Sequence, residues 1–197
     1  MACESANRIP RIAGAGVCCQ DYIVVAPRVN WGDTTHVVEF LAQGGGLVAT
    51  AIVACARLGA HCEMFSLLGN DQIGDEIVSE LEAEGANTSH ISRTLGAKSP
   101  FSFIHVDQDT GERTIFHRPA VGLDAPEDID FSSIADCGVL LVDDVYAEFA
   151  ARAAKVARKH GVPVIADCVP GPRSERLLPH VDVLIAPKHF AEKHGWH

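Results

Sequence analysis

The chain has 197 residues, enough for one full domain with a proper core. Its 47% hydrophobic and 21% charged residues exclude disordered, collagenous and fibrous classes. The 26 acidic residues against 16 basic ones give a formal charge of -10 with no basic cluster to hold a phosphate backbone, so nucleic acid is not an expected partner.

The first residues, MACESANRIPRIAGAG, have no basic segment followed by a longer apolar core, so neither a signal peptide nor a membrane anchor is expected. Arg11 to Val17 reads as a strand, and Tyr22 to Ala26 resumes extended structure after Gln20-Asp21. Thr34 to Leu41 is a further extended stretch after the Gly32-Asp33 turn. Gly44-Gly45-Gly46 then opens the small and apolar run LVATAIVACARLG, too long for a typical strand and ending at Gly59, which predicts a buried helix entered through glycines. Cys62 to Leu68 is the next strand. GNDQIGDEI leads into a helix with Ile73, Ile77 and Leu81 on one face and Ser79, Glu80, Glu82 and Glu84 on its polar side.

From Thr88 the pieces are short and extended: HISR, PFSFIHVD and GERTIFHRP, the last two joined across Gln108 to Gly111. With the segments near 22–41, those at 88–118 are expected to form a small antiparallel sheet. After Pro126 come GVLLV, YAEFAARAAKVARKH, VPVIAD and VDVLIAP, apolar strands separated by an amphipathic helix, as in a parallel sheet covered on both faces. The expected fold is a single α/β domain over residues 1–197, a three-layer sandwich with a mostly parallel central sheet and an inserted antiparallel lid.

The seven cysteines, at 3, 18, 19, 55, 62, 137 and 168, form no CxxC and take no metal-ligand spacing with the ten histidines. They read as buried hydrophobes in a reducing compartment, which implies the cytoplasm. No apolar run approaches the 18 or so residues of a membrane span.

Gly14-Ala15-Gly16 after a first strand suggests a dinucleotide fingerprint, but Cys19 stands at the third glycine position and an extended segment follows instead of a helix. Neither a GxxxxGK[ST] loop nor a GxSxG elbow is present. The glycines at 44–46 suit close approach of backbone amides to an oxygen-rich ligand, or equally a tight, closely packed turn.

In its order of elements the chain resembles the ribokinase-like, PfkB-type carbohydrate kinases. The resemblance rests on Asp21 just beyond the first strand, GGGLVATAIVACARLGA, SLLGNDQIGDEI and the hairpin carrying GERTIFHR. It runs from about residue 11 to 195 and corresponds to the first two thirds of a typical member. The resemblance implies ATP- and Mg2+-dependent phosphoryl transfer to a hydroxyl of a sugar or related polyol. Asp21 would grip substrate hydroxyls and Gly45 and Gly46 would pack against the ring, with Thr50 where the family usually has asparagine. The small sheet would be a lid over the sugar and a homodimer contact, with Phe103, His105 and Arg118 as substrate neighbours. Packing or solvation is the plainer explanation of those three, although Arg118 facing the pocket would suit a phosphorylated sugar.

Lys188 stands where the family has the asparagine of an Asn-x-x-Glu arrangement, and can neutralise a nucleotide phosphate or be a plain surface residue. Asp143, Asp144 and Asp167 end or follow strands at the crevice edge, where helix capping and turn formation are equally good explanations. The family's later Gly-Ala-Gly-Asp motif, which carries the base, does not occur in these residues, so no catalytic residue is expected here. The alternative is a non-catalytic sugar- or metabolite-binding protein of kinase ancestry.

Overall fold

The computed structural model describes residues 9–29 and 32–195. The expectations for the extreme N-terminus and Cys3 lie outside them. The main sheet comprises β1 (Arg11–Ala15), β4 (His61–Gly69), β5 (Ala86–Thr94), β8 (Val139–Asp143), β9 (Val164–Asp167) and β10 (Val183–Ile185), ordered β10-β9-β8-β1-β4-β5. Every pairing in it is parallel.

Strand alternation sends successive β4 side chains to opposite layers. Met64 and Leu68 pack with Val48, Ile52, Ile77 and Leu81 under α1 (Leu47–Arg57) and α2 (Gln72–Ala83). Phe65 and Leu67 join Leu140, Val142 and Phe149 on the other face. There α3 (Ala147–Lys159) lays Ala150, Ala153, Ala154 and Ala157 against the sheet, and small side chains permit that close approach. The three-layer α/β sandwich is therefore present. Helix α1 differs from the buried helix expected: it buries one face, through Val48, Ala49 and Ile52.

The second sheet consists of β2 (Cys19–Ala26), β3 (Glu39–Gly45), β6 (Phe101–Asp107) and β7 (Arg113–Arg118), ordered β3-β2-β6-β7. It is mixed, with β2 and β6 parallel and the two outer pairings antiparallel. Two boundaries shift from those expected. The HISR stretch near residue 88 belongs to β5 in the main sheet, because α2 supplies the long crossover a parallel partner of β4 needs. The strand expected at 34–41 runs instead from Glu39 to Gly45, so Gly44 and Gly45 sit in the ladder opposite Gln20 and Cys19.

One hydrogen-bonded knot fastens the second sheet to the first. Asp71 caps α2 by accepting from the Gly74 amide at 3.1 Å, and accepts from the Ser99 hydroxyl at 2.6 Å and its amide at 3.1 Å. Arg118, at the end of β7, donates to the Ser99 carbonyl at 2.5 Å. Asp71→Ala removes cap and anchor together and is expected to lower stability by about 2 kcal/mol. A reduced urea midpoint at unchanged slope is the measurement that checks it.

Candidate functional site

Strand order reverses between β1 and β8, the switch point at whose carboxyl edge α/β proteins form their ligand crevices. A cleft of about 540 Å³ opens there beneath the second sheet. Val17, Val145 and Asp167 line it from the main sheet, Gly46, Leu47 and Thr50 from the entry to α1, and Cys19, Asp21, Gln43, Gly45, Ser102, Ile104, Ile115 and His117 from the lid. Its size suits a small ligand.

Asp143 fixes this edge. It is fully buried, and its carboxyl accepts from the Val17 amide at 2.8 Å and the Val145 amide at 2.9 Å. Burial pushes this carboxyl up to about 6, against the pull of those amides and that of Val48 in the first turn of α1. A side chain at residue 16 is excluded, since a Cβ on Gly16 would lie 2.2 Å from Asp143 Oδ2. Asp143 is thus engaged in holding the turn after β8 to the backbone that follows β1. Burial also raises Asp144 and Asp167, with Arg173 opposing the rise at Asp144, whose Oδ2 is buried without a hydrogen-bond partner.

Asp21, Gly45, Gly46 and Thr50 are brought together as the sequence suggested. Asp21 projects from β2 on the cleft face, where the Cys19 thiol donates to its Oδ1 at 3.4 Å. A Cβ on Gly45 would stand 2.2 Å from Asp21 Oδ2, so glycine leaves that oxygen its place. Gly46 has φ +104°, and a Cβ there would meet the Val17 carbonyl at 2.4 Å. Close approach and ligand access are therefore the same requirement here.

Phe103, His105 and Arg118 do not line the cleft. Strand alternation turns them to the other lid face: Phe103 packs on Phe116, His105 Nε2 lies 3.2 Å from the Pro27 carbonyl, and Arg118 stacks over Phe101 at 4.4 Å. Their neighbours Ser102, Ile104 and His117 face inward instead. Sequence reasoning missed these three and Gln43, which the three lid registers with Asp21 facing the ligand would have found. Lys188 is exposed at the start of α5 (His189–His194) and is not among the residues that line the cleft.

Among the described residues no three His, Cys, Asp or Glu groups come together to hold a metal ion, so no complete protein cage for Mg2+ is present. Nor do lysines or arginines among them line the cleft to hold a nucleotide phosphate. Six described cysteines are free thiols, and burial raises Cys19 and Cys168 out of the reactive range. No described helix is long and apolar enough to cross a membrane.

Residues 11–193 match the profile of the pfkB family carbohydrate kinases. Ribokinase of Bacillus subtilis is 26% identical over 184 residues, 89% of this chain and 61% of that protein. A protein of Agrobacterium tumefaciens whose crystal structure carries a provisional ribokinase assignment superposes with a TM-score of 0.87 at 25% identity, over 96% of this chain and 63% of its own. Ribokinase of Arabidopsis thaliana, solved with ribose and ATP, shares the fold with a TM-score of 0.73 at 22% identity, over 91% of this chain and 60% of its own. The chain thus spans about 60% of the length of these relatives.

The raised carboxyl at residue 143 has a consequence for stability. Its native value near 6 lies above the ordinary 3.8, so the folded state binds more protons between those values, and this group's contribution falls as pH rises through that window. Thermal or urea unfolding of wild type and Asp143→Asn should show the wild type losing up to about 3 kcal/mol relative to the variant from pH 4 to pH 7. Parallel pH profiles would show that the carboxyl is not raised.

Proposed function

The chain belongs to the pfkB carbohydrate kinase family, and on that premise we propose that it supplies the sugar-binding part of an ATP-dependent kinase. The reaction transfers the γ-phosphoryl group to a hydroxyl of a sugar or related polyol. One observation carries this reading: Asp21, Gly45, Gly46 and Thr50 line one cleft at the switch point, covered by a separate small sheet. A carboxylate accepts hydrogen bonds from two neighbouring hydroxyls, and bare glycines let a ring lie against backbone. Thr50 offers a hydroxyl to the same ring.

Lys188 follows the carboxyl end of β10, the same edge of the parallel sheet as Asp167, and is proposed to approach the nucleotide phosphates. Mg2+ would arrive with the nucleotide, held largely by phosphate oxygens as that ion prefers. The lid face turned away from the cleft, with Phe40, Phe103 and Phe116 exposed, is the proposed contact of a homodimer, and the free thiols fit a reducing cytoplasm.

A second reading, a sugar-binding protein without turnover, is favoured by the lack of cationic side chains lining the described cleft. ATP consumption by a form extended to the relatives' length, assayed with pentoses, hexoses, polyols and nucleosides, separates the two. Substrate-dependent turnover is expected, and Asp21→Ala should lower kcat/KM by roughly two orders of magnitude, the scale of losing two charge-assisted hydrogen bonds. Sugar binding without turnover would support the second reading and overturn the first.

A further inference from the structure

On the lid's cleft face the ladder registers set residues in transverse rows. Gln43 pairs with Asp21, Asp21 with Ser102, and Ser102 with His117, so four polar side chains cross all four strands in one line. All four line the cleft. Two residues further along each strand the row is Leu41, Ile23, Ile104 and Ile115, entirely apolar. Ser102 is only 6% exposed and its hydroxyl lies 3.3 Å from His117 Nδ1. That contact orients the imidazole and leaves Nε2 for a ligand.

Resting on the kinase reading of this cleft, we propose that Gln43, Ser102 and His117 form with Asp21 a ledge that reads the hydroxyls of an uncharged sugar or polyol. The substrate is neither a phosphosugar nor a sugar acid. Of the titratable side chains lining the described cleft, Asp21 and Asp167 are acids and His117 is the one base. The buried Asp143 and Asp144 add acids behind the floor. An anionic substrate would meet this field with no lysine or arginine in the described lining to offset it.

Arg118, the guanidinium suited to a phosphate by its sequence position, is turned to the other face and occupied by the Ser99 carbonyl and the Phe101 ring. Arg113 shares the cleft-side parity but sits four residues from His117, about 13 Å along the strand. Glu39 lies in that same row, beyond the isoleucines. Neutral hydroxyls suit the ledge: Gln43 and Ser102 both donate and accept, Asp21 accepts, and the apolar row lies under the ring's carbon face.

Calorimetric binding to the chain at physiological ionic strength tests this, with D-ribose, 2-deoxyribose, fructose and glucose as neutral probes and ribose 5-phosphate and gluconate as anionic ones. At least one neutral sugar is expected to bind tenfold or more tightly than either anion. Ser102→Ala and His117→Ala should each weaken that sugar roughly threefold to tenfold, with His117→Gln restoring part of the loss. His117→Arg should favour ribose 5-phosphate, a gain that a purely structural role for this residue would not produce. Circular dichroism establishes that each variant is folded, and His117→Gln and His117→Arg decide the matter if an alanine variant fails to fold. An anionic probe binding as tightly as the best neutral one overturns the proposal and leaves the kinase reading standing. A folded chain that binds none of the probes overturns the sugar-site reading, and the ledge with it.

Discussion

The carboxyl end of this fold is organised around one buried group, the side chain of Asp143. Burying a carboxyl is costly unless its oxygens are hydrogen-bonded, and here backbone amides from three segments meet that demand. Val17 follows β1, Val145 follows β8, and Val48 lies in the first turn of α1. The exits of two strands and the entry of one helix are thereby fixed to a common point. Gly16 is the condition for this, because any side chain would occupy the space of Oδ2. Strand β2 begins two residues after Val17, so the position of Asp21 follows from the clamp on Asp143. Gly46 closes the arrangement by lying against the Val17 carbonyl with a backbone that disfavours a side chain.

The lid is held from the opposite end by Asp71 and Ser99, so its strands are constrained at both margins while the cleft face stays open. Its other face is aromatic. Tyr22 packs on Phe40 and Phe101 and donates to Glu76 on α2 at 3.3 Å, tying that face to the main layer. The period of two along each strand separates these tasks. One set of alternate residues attaches the lid, and the other set is left to contact what lies in the cleft.

The three-layer fold was legible because continuous apolar runs such as GVLLV and VPVIAD bear the mark of strands buried on both faces. β5 was not, because Thr88 to Arg93 is polar apart from Ile91 and lacks the continuous apolar run of its neighbours in the main sheet. What decides its place is the crossover through α2, a tertiary relation. Asp21, Gly45, Gly46 and Thr50 were legible through their motifs and do converge. Phe103 and His105 failed by one residue of parity. The β2–β6 register starts with the Gln20 amide bonded to the Pro100 carbonyl at 3.2 Å, and no local pattern in PFSFIHVD announces it. Arg118 was misplaced for the same reason, and on that face it meets the Phe101 ring and the Ser99 carbonyl.

The acids at this edge have separate tasks. Asp143 spends both oxygens on backbone amides and is held towards its neutral form by burial, so it organises structure. Asp21 is half-buried in an open cleft, with one thiol donor at Oδ1, and keeps acceptor capacity for ligand hydroxyls. Phosphoryl transfer additionally demands positive charge or amide donors around the moving phosphoryl group. The lining of the described cleft supplies hydroxyl-reading groups and acids, and no lysine or arginine. On the proposed reading, sugar recognition and phosphate handling are spatially divided: the lid and α1 over the switch point would serve the first, and groups outside that lining would serve the second. On the proposed kinase reading, a cleft lined in this way would read a sugar by its hydroxyls, with no lysine or arginine in the described lining to hold the nucleotide phosphates.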